Sequence, residues 1–310
     1  FKTIEDHLTE CTTLEKGVWV HLQSPTKEEV DGLTTRFNLD PTFLPAALDE
    51  EESARIDYDS DKQQTLIIVD IPYVDTEGTG YVYSTIPLGI VLCDEVIITV
   101  CTRDTPIIND FTEERIRNFW TFKRTRFILQ ILQRNAGRFL SYLKQIDKTS
   151  QHIQEKLEHT SRNQELLQMM KLEKSLVYFN TSLKGNALVM ERLMRQDILK
   201  RYPEDTDLLE DVIIENKQAI EMAKIYSDIL SGTMDAFASV ISNNLNIAMK
   251  FLSVITIVLT VPTIVTSALG MNVAGIPFAN NPYGFWIVVG ISLLLTLIAG
   301  AIIAKNKHFK

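Results

Sequence analysis

A set of oxygen-bearing side chains recurs at helical spacing along the last third of the chain. Counting by alternating threes and fours around Asn246 meets Asp211, Ile214, Gln218, Glu221, Ile225, Asp228, Gly232, Asp235, Ser239, Ser242, Met249, Ser253, Thr256, Thr260, Thr263, Ser267 and Gly270. Heptad spacing keeps such positions on one face of a gently supercoiled helix. The face offers the carboxylates of Asp211, Glu221, Asp228 and Asp235, an amide at Asn246, and hydroxyls through the apolar region. Oxygen and amide donors suit hard divalent cations, and the stripe has no Cys or His to favour a softer metal.

Two explanations of the hydroxyls stand side by side. Ser and Thr in a membrane helix can bond to the backbone carbonyl one turn back, or join helix to helix. Alternatively, several copies around an axis would turn this face towards a water-filled tube. The stripe continues into Asp228 and Asp235, outside the apolar region, where joining helices in lipid is irrelevant. That continuity favours a cation path.

The elements that must hold this face are legible. Residues 251–304 contain no Asp, Glu, Lys or Arg and divide into two apolar runs, 251–269 and 285–304. Each has about the 20 residues that an α-helix needs to cross a bilayer. Lys250 precedes the first run, and Lys305, Lys307 and Lys310 follow the second. The positive-inside rule puts both flanks, and the polar region before them, in the cytoplasm. Both termini of this multi-pass chain are therefore expected inside, with a short loop outside. The stretch 1–16 is mixed polar, so no cleavable signal is expected there.

Upstream, residues 1–110 read as a cytoplasmic α/β domain. Strands are expected at 18–22, 66–71, 81–87, 89–93 and 96–101. A helix is expected with Ser24 as its cap, Pro25 at its first position and Glu28-Glu29 in its first turn, and a second short one after Asp40-Pro41. From about Thr112 apolar residues recur at threes and fours and proline is absent, so 111–202 is expected as two long antiparallel helices turning within 161–174. The stalk helix, 203–250, runs on into the membrane pore domain with its basic tail, 251–310. His152 and His159, seven apart, read as solvated. The class is thus an α+β membrane protein.

Composition removes other functions. There are 40 Asp+Glu against 31 Lys+Arg, a formal charge of −9, so no basic face for nucleic acid is expected. An acidic balance attracts cations instead. Cys11, Cys93 and Cys101 are odd in number and have no metal-ligand spacing, as in a reduced cytoplasmic setting. No glycine-rich phosphate loop, Ser/His/Asp set or HExxH stretch is present, so the chain does not read as an enzyme.

The triplet Gly270-Met271-Asn272, placed at the bend of a C-terminal two-helix hairpin, resembles the signature of the CorA family of magnesium channels, and the order of elements is similar along the whole chain. The resemblance implies a funnel-shaped homopentamer in the plasma (inner) membrane, in contact with lipid, with the first membrane helix of each subunit lining one pore. Asn272 would form the outer ring, beside Gly270 and Met271, that holds hydrated Mg²⁺ through its water shell. Asn246 would form an inner ring, and the lining would run through Asp235, Met249, Leu252, Ser253, Thr256, Thr260, Thr263 and Ser267. Regulatory Mg²⁺ would bind between subunits at Asp211, with Asp75 as the candidate partner by position.

Three departures from the family pattern stand out. Leu269 is where Tyr is usual, the loop 273–284 has no acidic residue, and Thr260 is where a large apolar gate residue is common. The constriction then falls to Met249 and Leu252. The expected function is passive Mg²⁺ conduction gated by cytoplasmic Mg²⁺. The alternatives are a relative that carries Co²⁺, Ni²⁺ or Zn²⁺, and a non-conducting anchored sensor or scaffold.

Overall fold

The structure, a computed structural model, describes residues 1–310 except 5–6, 78–79, 94–95, 160–162, 196–198, 200–201, 272–275, 278–280 and 306–310. It divides into two compact units, Phe1–Met234 and Asp235–Lys310.

The first unit is built on a sheet. Strands β1 (Lys2–Ile4) and β2 (His7–Thr9) form a small hairpin, and a five-stranded sheet has the order β3-β7-β6-β5-β4. Its members are β3 (Trp19–Gln23), β4 (Arg55–Asp59), β5 (Gln64–Glu77), β6 (Gly80–Cys93) and β7 (Val96–Cys101). Only β3 and β7 run parallel; β4, β5, β6 and β7 pair antiparallel in turn. Both faces of the sheet are covered, which explains why its strands read as nearly unbroken apolar runs. On one face Leu66, Ile68, Val91, Ile98 and Val100 pack with Val30 of α1 (Lys27–Arg36) and with Phe43, Leu44 and Ala47 of α2 (Phe43–Ala47). On the other, Ile67, Val69, Ile71, Leu88 and Ile90 pack with α3 (Pro106–Thr112), α4 (Arg124–His159) and α5 (Asn163–Arg195). Leu209 and Val212, from the start of α6 (Pro203–Leu269), join that second core.

Three local expectations need correction. The cap of α1 is Thr26, not Ser24: its hydroxyl accepts from the Glu29 N–H while the Glu29 carboxylate accepts from the Thr26 N–H, a reciprocal pair that Pro25 precedes. Residues 81–87 and 89–93 are one strand, β6, running through Pro87 and Gly89. Asp70, opposite Pro87, lies beyond Ile68, the last β5 residue that β4 pairs, and takes its backbone bonds from side chains instead. Its carbonyl accepts from Asn135 Nδ2 (2.8 Å) and Asn186 Nδ2 (2.7 Å), and its N–H donates to Asn186 Oδ1 (2.9 Å). At Gly89 a side chain would collide with Ala47, so α2 lies on the strand only because Cβ is missing. Finally, α4 begins at Arg124 rather than near Thr112. The chain between folds back so that Phe119 packs edge-on against Phe111, Phe127 and Trp19, a contact that a straight helix would forfeit.

The helix α4 ends at His159 and α5 begins at Asn163, so the first residues of the expected turn window lie outside the described residues. His152 is exposed beside Glu155, and the His159 side chain lies outside the described residues.

Burial holds the Asp70 carboxyl well above its ordinary range, at about 6, against a hydrogen bond with Ser182 that lowers it. The native state therefore keeps a proton that the unfolded chain releases. The stability this contributes is full below about pH 4 and is lost as pH rises through about 6, by about 3 kcal/mol at most. Asp70→Asn should remove that part of the pH dependence. Thermal unfolding of the detergent-solubilised protein at pH 5 and pH 7.5 should show a smaller drop for the variant than for the wild type.

Candidate functional site

In the second unit, the membrane part of α6 and α7 (Gly284–Lys305) are the two helices long and apolar enough to span a bilayer. Ser253, Thr256, Thr260, Thr263 and Ser267 are all exposed, as are Asp235, Asn246, Met249 and Leu252. The shielded positions of this stretch are Val254, Val258, Val261, Pro262, Val265 and Leu269. They too recur at threes and fours. Each of the four valines precedes a hydroxyl residue of the stripe by two positions, about 160° round a helix with 100° per residue. On α7 the shielded positions include Ile287, Val288, Val289, Ile291, Ser292, Thr296, Ala299 and Gly300, with Ser292 the most buried. With α7 the other helix of this unit, the valine face is the one turned to it. The hydroxyl face points the other way.

That orientation removes one explanation of the stripe, since its hydroxyls do not join α6 to α7. They do bond to their own backbone. Ser253 donates to the Met249 carbonyl (2.8 Å), Thr256 to Leu252 (2.8 Å), Thr260 to Thr256 (2.7 Å) and Thr263 to Leu259 (2.7 Å). A hydroxyl that spends its proton this way keeps acceptor capacity on its oxygen, so back-bonding and contact with water are compatible. Pro262 has no N–H to give one turn back, and α6 nevertheless continues to Leu269.

At the C-terminal end of α6, Gly270 makes the last turn. Its N–H donates to the Thr266 carbonyl at 2.9 Å, and a Cβ there would stand 2.9 Å from that same oxygen. Only glycine closes the helix this tightly. Met271 is exposed, and Asn272 lies outside the described residues. Before α7, Asn281 holds the Tyr283 N–H through its side chain (2.9 Å), and Tyr283, Phe285 and Trp286 are exposed aromatics at the helix start, as in an interfacial belt.

In the first unit, Asp211 is exposed on the opening turns of α6. Glu215, one turn on, was not among the sequence-derived residues, though its i+4 spacing was available to find it. Burial, and secondly the charge of Asp211, push its carboxyl above the ordinary range. Glu215 lines a cleft of about 420 Å³ with Asp110, Arg134 and Arg138. Asp75 is exposed near the end of β5, with the Arg103 guanidinium 3.9 Å away. Nothing local in the sequence pairs residues 75 and 103. Among the described residues no three His, Cys, Asp or Glu side chains converge as a metal site.

Comparison with known proteins agrees with this architecture. A family profile described as "CorA-like Mg2+ transporter protein" matches residues 15–305. A cobalt/magnesium transport protein CorA from Methanocaldococcus jannaschii is 27% identical over 290 residues, covering 91% of this chain and 88% of the relative. The complete structure of a CorA magnesium transporter from the same organism superposes with a TM-score of 0.81 at 25% identity, over 96% of this chain and 94% of that one. The full-length CmaX structure shares the fold, with a TM-score of 0.68 at 19% identity over 94% and 90% of the two chains.

The opposed faces of α6 give a labelling pattern. Single cysteines at Thr256, Thr260 and Thr263 should react with a small hydrophilic thiol reagent at least about tenfold faster than cysteines at Ile257, Val258 and Val261. Equal rates would leave the hydroxyls with their backbone bonds alone.

Proposed function

The chain belongs to the CorA-like Mg²⁺ transporter family, and from that premise we propose that it is a passive Mg²⁺ channel of the plasma membrane that also admits Co²⁺. Five copies surround one axis, α6 of each lines the pore, and both termini face the cytoplasm. The observation that supports this most is the orientation of the hydroxyl stripe, exposed and turned away from α7. A polar face that has no partner in its own hairpin is costly against lipid, and a ring of copies turns it to water instead.

Along that ring the chemistry is graded. Asp235 carboxylates at the cytoplasmic mouth concentrate cations, and Asn246 supplies an amide ring. Met249 and Leu252 make an apolar constriction, and Ser253, Thr256, Thr260, Thr263 and Ser267 carry hydroxyls through the bilayer. At the outer end Asn272, next to Gly270 and Met271, hydrogen-bonds the water shell of the ion. Mg²⁺ dehydrates reluctantly, so recognition through its waters avoids the largest energetic cost. A charge of +2 moving inward through 100 mV gains about 4.6 kcal/mol, so the membrane potential suffices as the driving force. Cobalt enters the reading because the archaeal relative is named a cobalt/magnesium transport protein and the stripe's donors are oxygen and amide.

Gating follows from the acids of the soluble unit. Asp211 of one subunit and Asp75 of its neighbour hold Mg²⁺ between them when internal Mg²⁺ is plentiful. When the ion leaves, the carboxylates repel and the subunits part.

Two experiments test this. Asn272→Ala should abolish uptake of Mg²⁺ and Co²⁺ into dye-loaded liposomes while the oligomer survives on a sizing column; normal uptake would refute the outer ring, and absent uptake by the wild type would leave an anchored scaffold. For gating, internal Mg²⁺ should inhibit patch currents of the wild type and inhibit Asp211→Asn and Asp211→Lys much less. Superimposable inhibition curves would place the sensor elsewhere.

A further inference from the structure

Two polar groups face the seam between α6 and α7 without their usual partners. The first is made by Pro262, which stands inside α6 and has no N–H to give one turn back. The Val258 carbonyl therefore loses its helical donor. The hydroxyls nearby go elsewhere: those of Ser253, Thr256, Thr260, Thr263 and Thr266 are donated to the carbonyls of Met249, Leu252, Thr256, Leu259 and Pro262. The second group is the Ser292 hydroxyl. Ser292 is the most buried residue of α7, at 6% exposure, and among the described residues its Oγ makes no hydrogen bond. Thr296, one turn on, donates to the Ser292 carbonyl at 2.7 Å and leaves the hydroxyl alone. Val258 and Pro262 belong to the shielded face of α6, and Ser292 to that of α7. Leu269 and Gly284 are the helix ends that flank the connecting loop. Measured from them at 1.5 Å per residue, Val258 lies about 16 Å and Ser292 about 12 Å along its helix. A helical carbonyl points towards the C-terminal end, which narrows that difference.

We propose that Ser292 is a latch for α6: it donates its hydroxyl to the Val258 carbonyl when α6 bends at Pro262, and releases it when the helix straightens. This rests on the reading of α6 as the pore helix. A proline ring clashes with the carbonyl one turn back, and bending opens the helix on that side, where a side chain can enter the broken ladder. The side opened here is the one turned to α7, so the segment 263–269 tilts the other way, towards its hydroxyl face. With that face lining the pore, the tilt narrows the ring at Thr263 and Ser267. The bond thus belongs to the narrowed pore, and the conformation described, with Ser292 unbonded, is the released one. Hydrocarbon offers neither group another partner, and bonds between membrane helices shift an equilibrium about three- to tenfold. Ser292 touches no ion; it is a positioning residue that acts through Val258 and the turn beyond Pro262.

The test is a double-mutant cycle on the full-length channel, read as patch-current inhibition by stepped internal Mg²⁺, with the oligomer confirmed by sizing for each variant. Ser292→Ala should weaken closure and raise the half-inhibiting Mg²⁺ about three- to tenfold. Ser292→Thr, which keeps a hydroxyl, should stay within about twofold of the wild type. Pro262→Ala returns an N–H to the Val258 carbonyl, so adding Ser292→Ala to it should move the threshold by less than about twofold. Pro262→Leu serves in its place should the alanine variant fail to assemble. Labelling reads the geometry directly. Ser267→Cys, past the proline, should react with the hydrophilic thiol reagent at least about threefold faster once Ser292→Ala is added. Thr256→Cys, before the proline, should keep its rate, whereas general loosening of the hairpin would raise both. A threshold unchanged or lowered by Ser292→Ala overturns the proposal, and so does an equal shift with and without Pro262. If the wild type carries no current, or neither cysteine reacts, the pore reading itself fails and the latch fails with it.

Discussion

Hydrocarbon offers no partner to a polar group, and the membrane part of this protein is organised by that fact. The first membrane helix has to carry oxygen atoms if an ion is to pass, yet every oxygen facing lipid is a cost. The chain answers at two levels. Each of four hydroxyls returns its proton to a carbonyl within the same helix, which makes the residues tolerable in a lone hairpin. The whole set is confined to one face, and the opposite face is valine against α7. Rigid β-branched valines favour a flat apolar seam there.

The same requirement appears in the soluble unit in a different form. Its sheet is buried on both faces, so a strand interruption cannot be repaired by water. The pairing of β4 ends at Arg55 and Ile68, and the carboxamides of Asn135 and Asn186 complete the backbone of Asp70 beyond it. These amides come from α4 and α5, so they pin both helices to one point of the sheet. The Asp70 carboxyl is carried into the same layer at a cost that its raised pKa of about 6 expresses. Burial of this kind is rigid, and a rigid sheet is what keeps Tyr73, Asp75 and Arg103 in fixed relation.

Sequence and structure divide the work along a physical line. The apolar runs, the charged flanks, the hydroxyl stripe and the helix punctuation depend on residues within one or two turns of each other. Periodicity therefore exposes them, and both membrane helices and their order follow from sequence alone. Where local rules compete, the reading slipped. Ser24 and Thr26 are both competent caps, and only the reciprocal bond with Glu29 decides between them. Pro87 and Gly89 read as a break, yet β6 runs through both, and Ala47, more than forty residues away in the chain, packs into the space that Gly89 leaves.

What the sequence determined by itself is which face of the long helix is polar and where that helix turns apolar, since helical geometry converts spacing directly into direction. What only the tertiary structure decided is which face turns to α7, which amides finish the sheet and which cation stands beside Asp75. Each of those is a meeting of residues far apart in the chain, such as Asp75 with Arg103 or Asp70 with Asn186, and no local period encodes such a meeting.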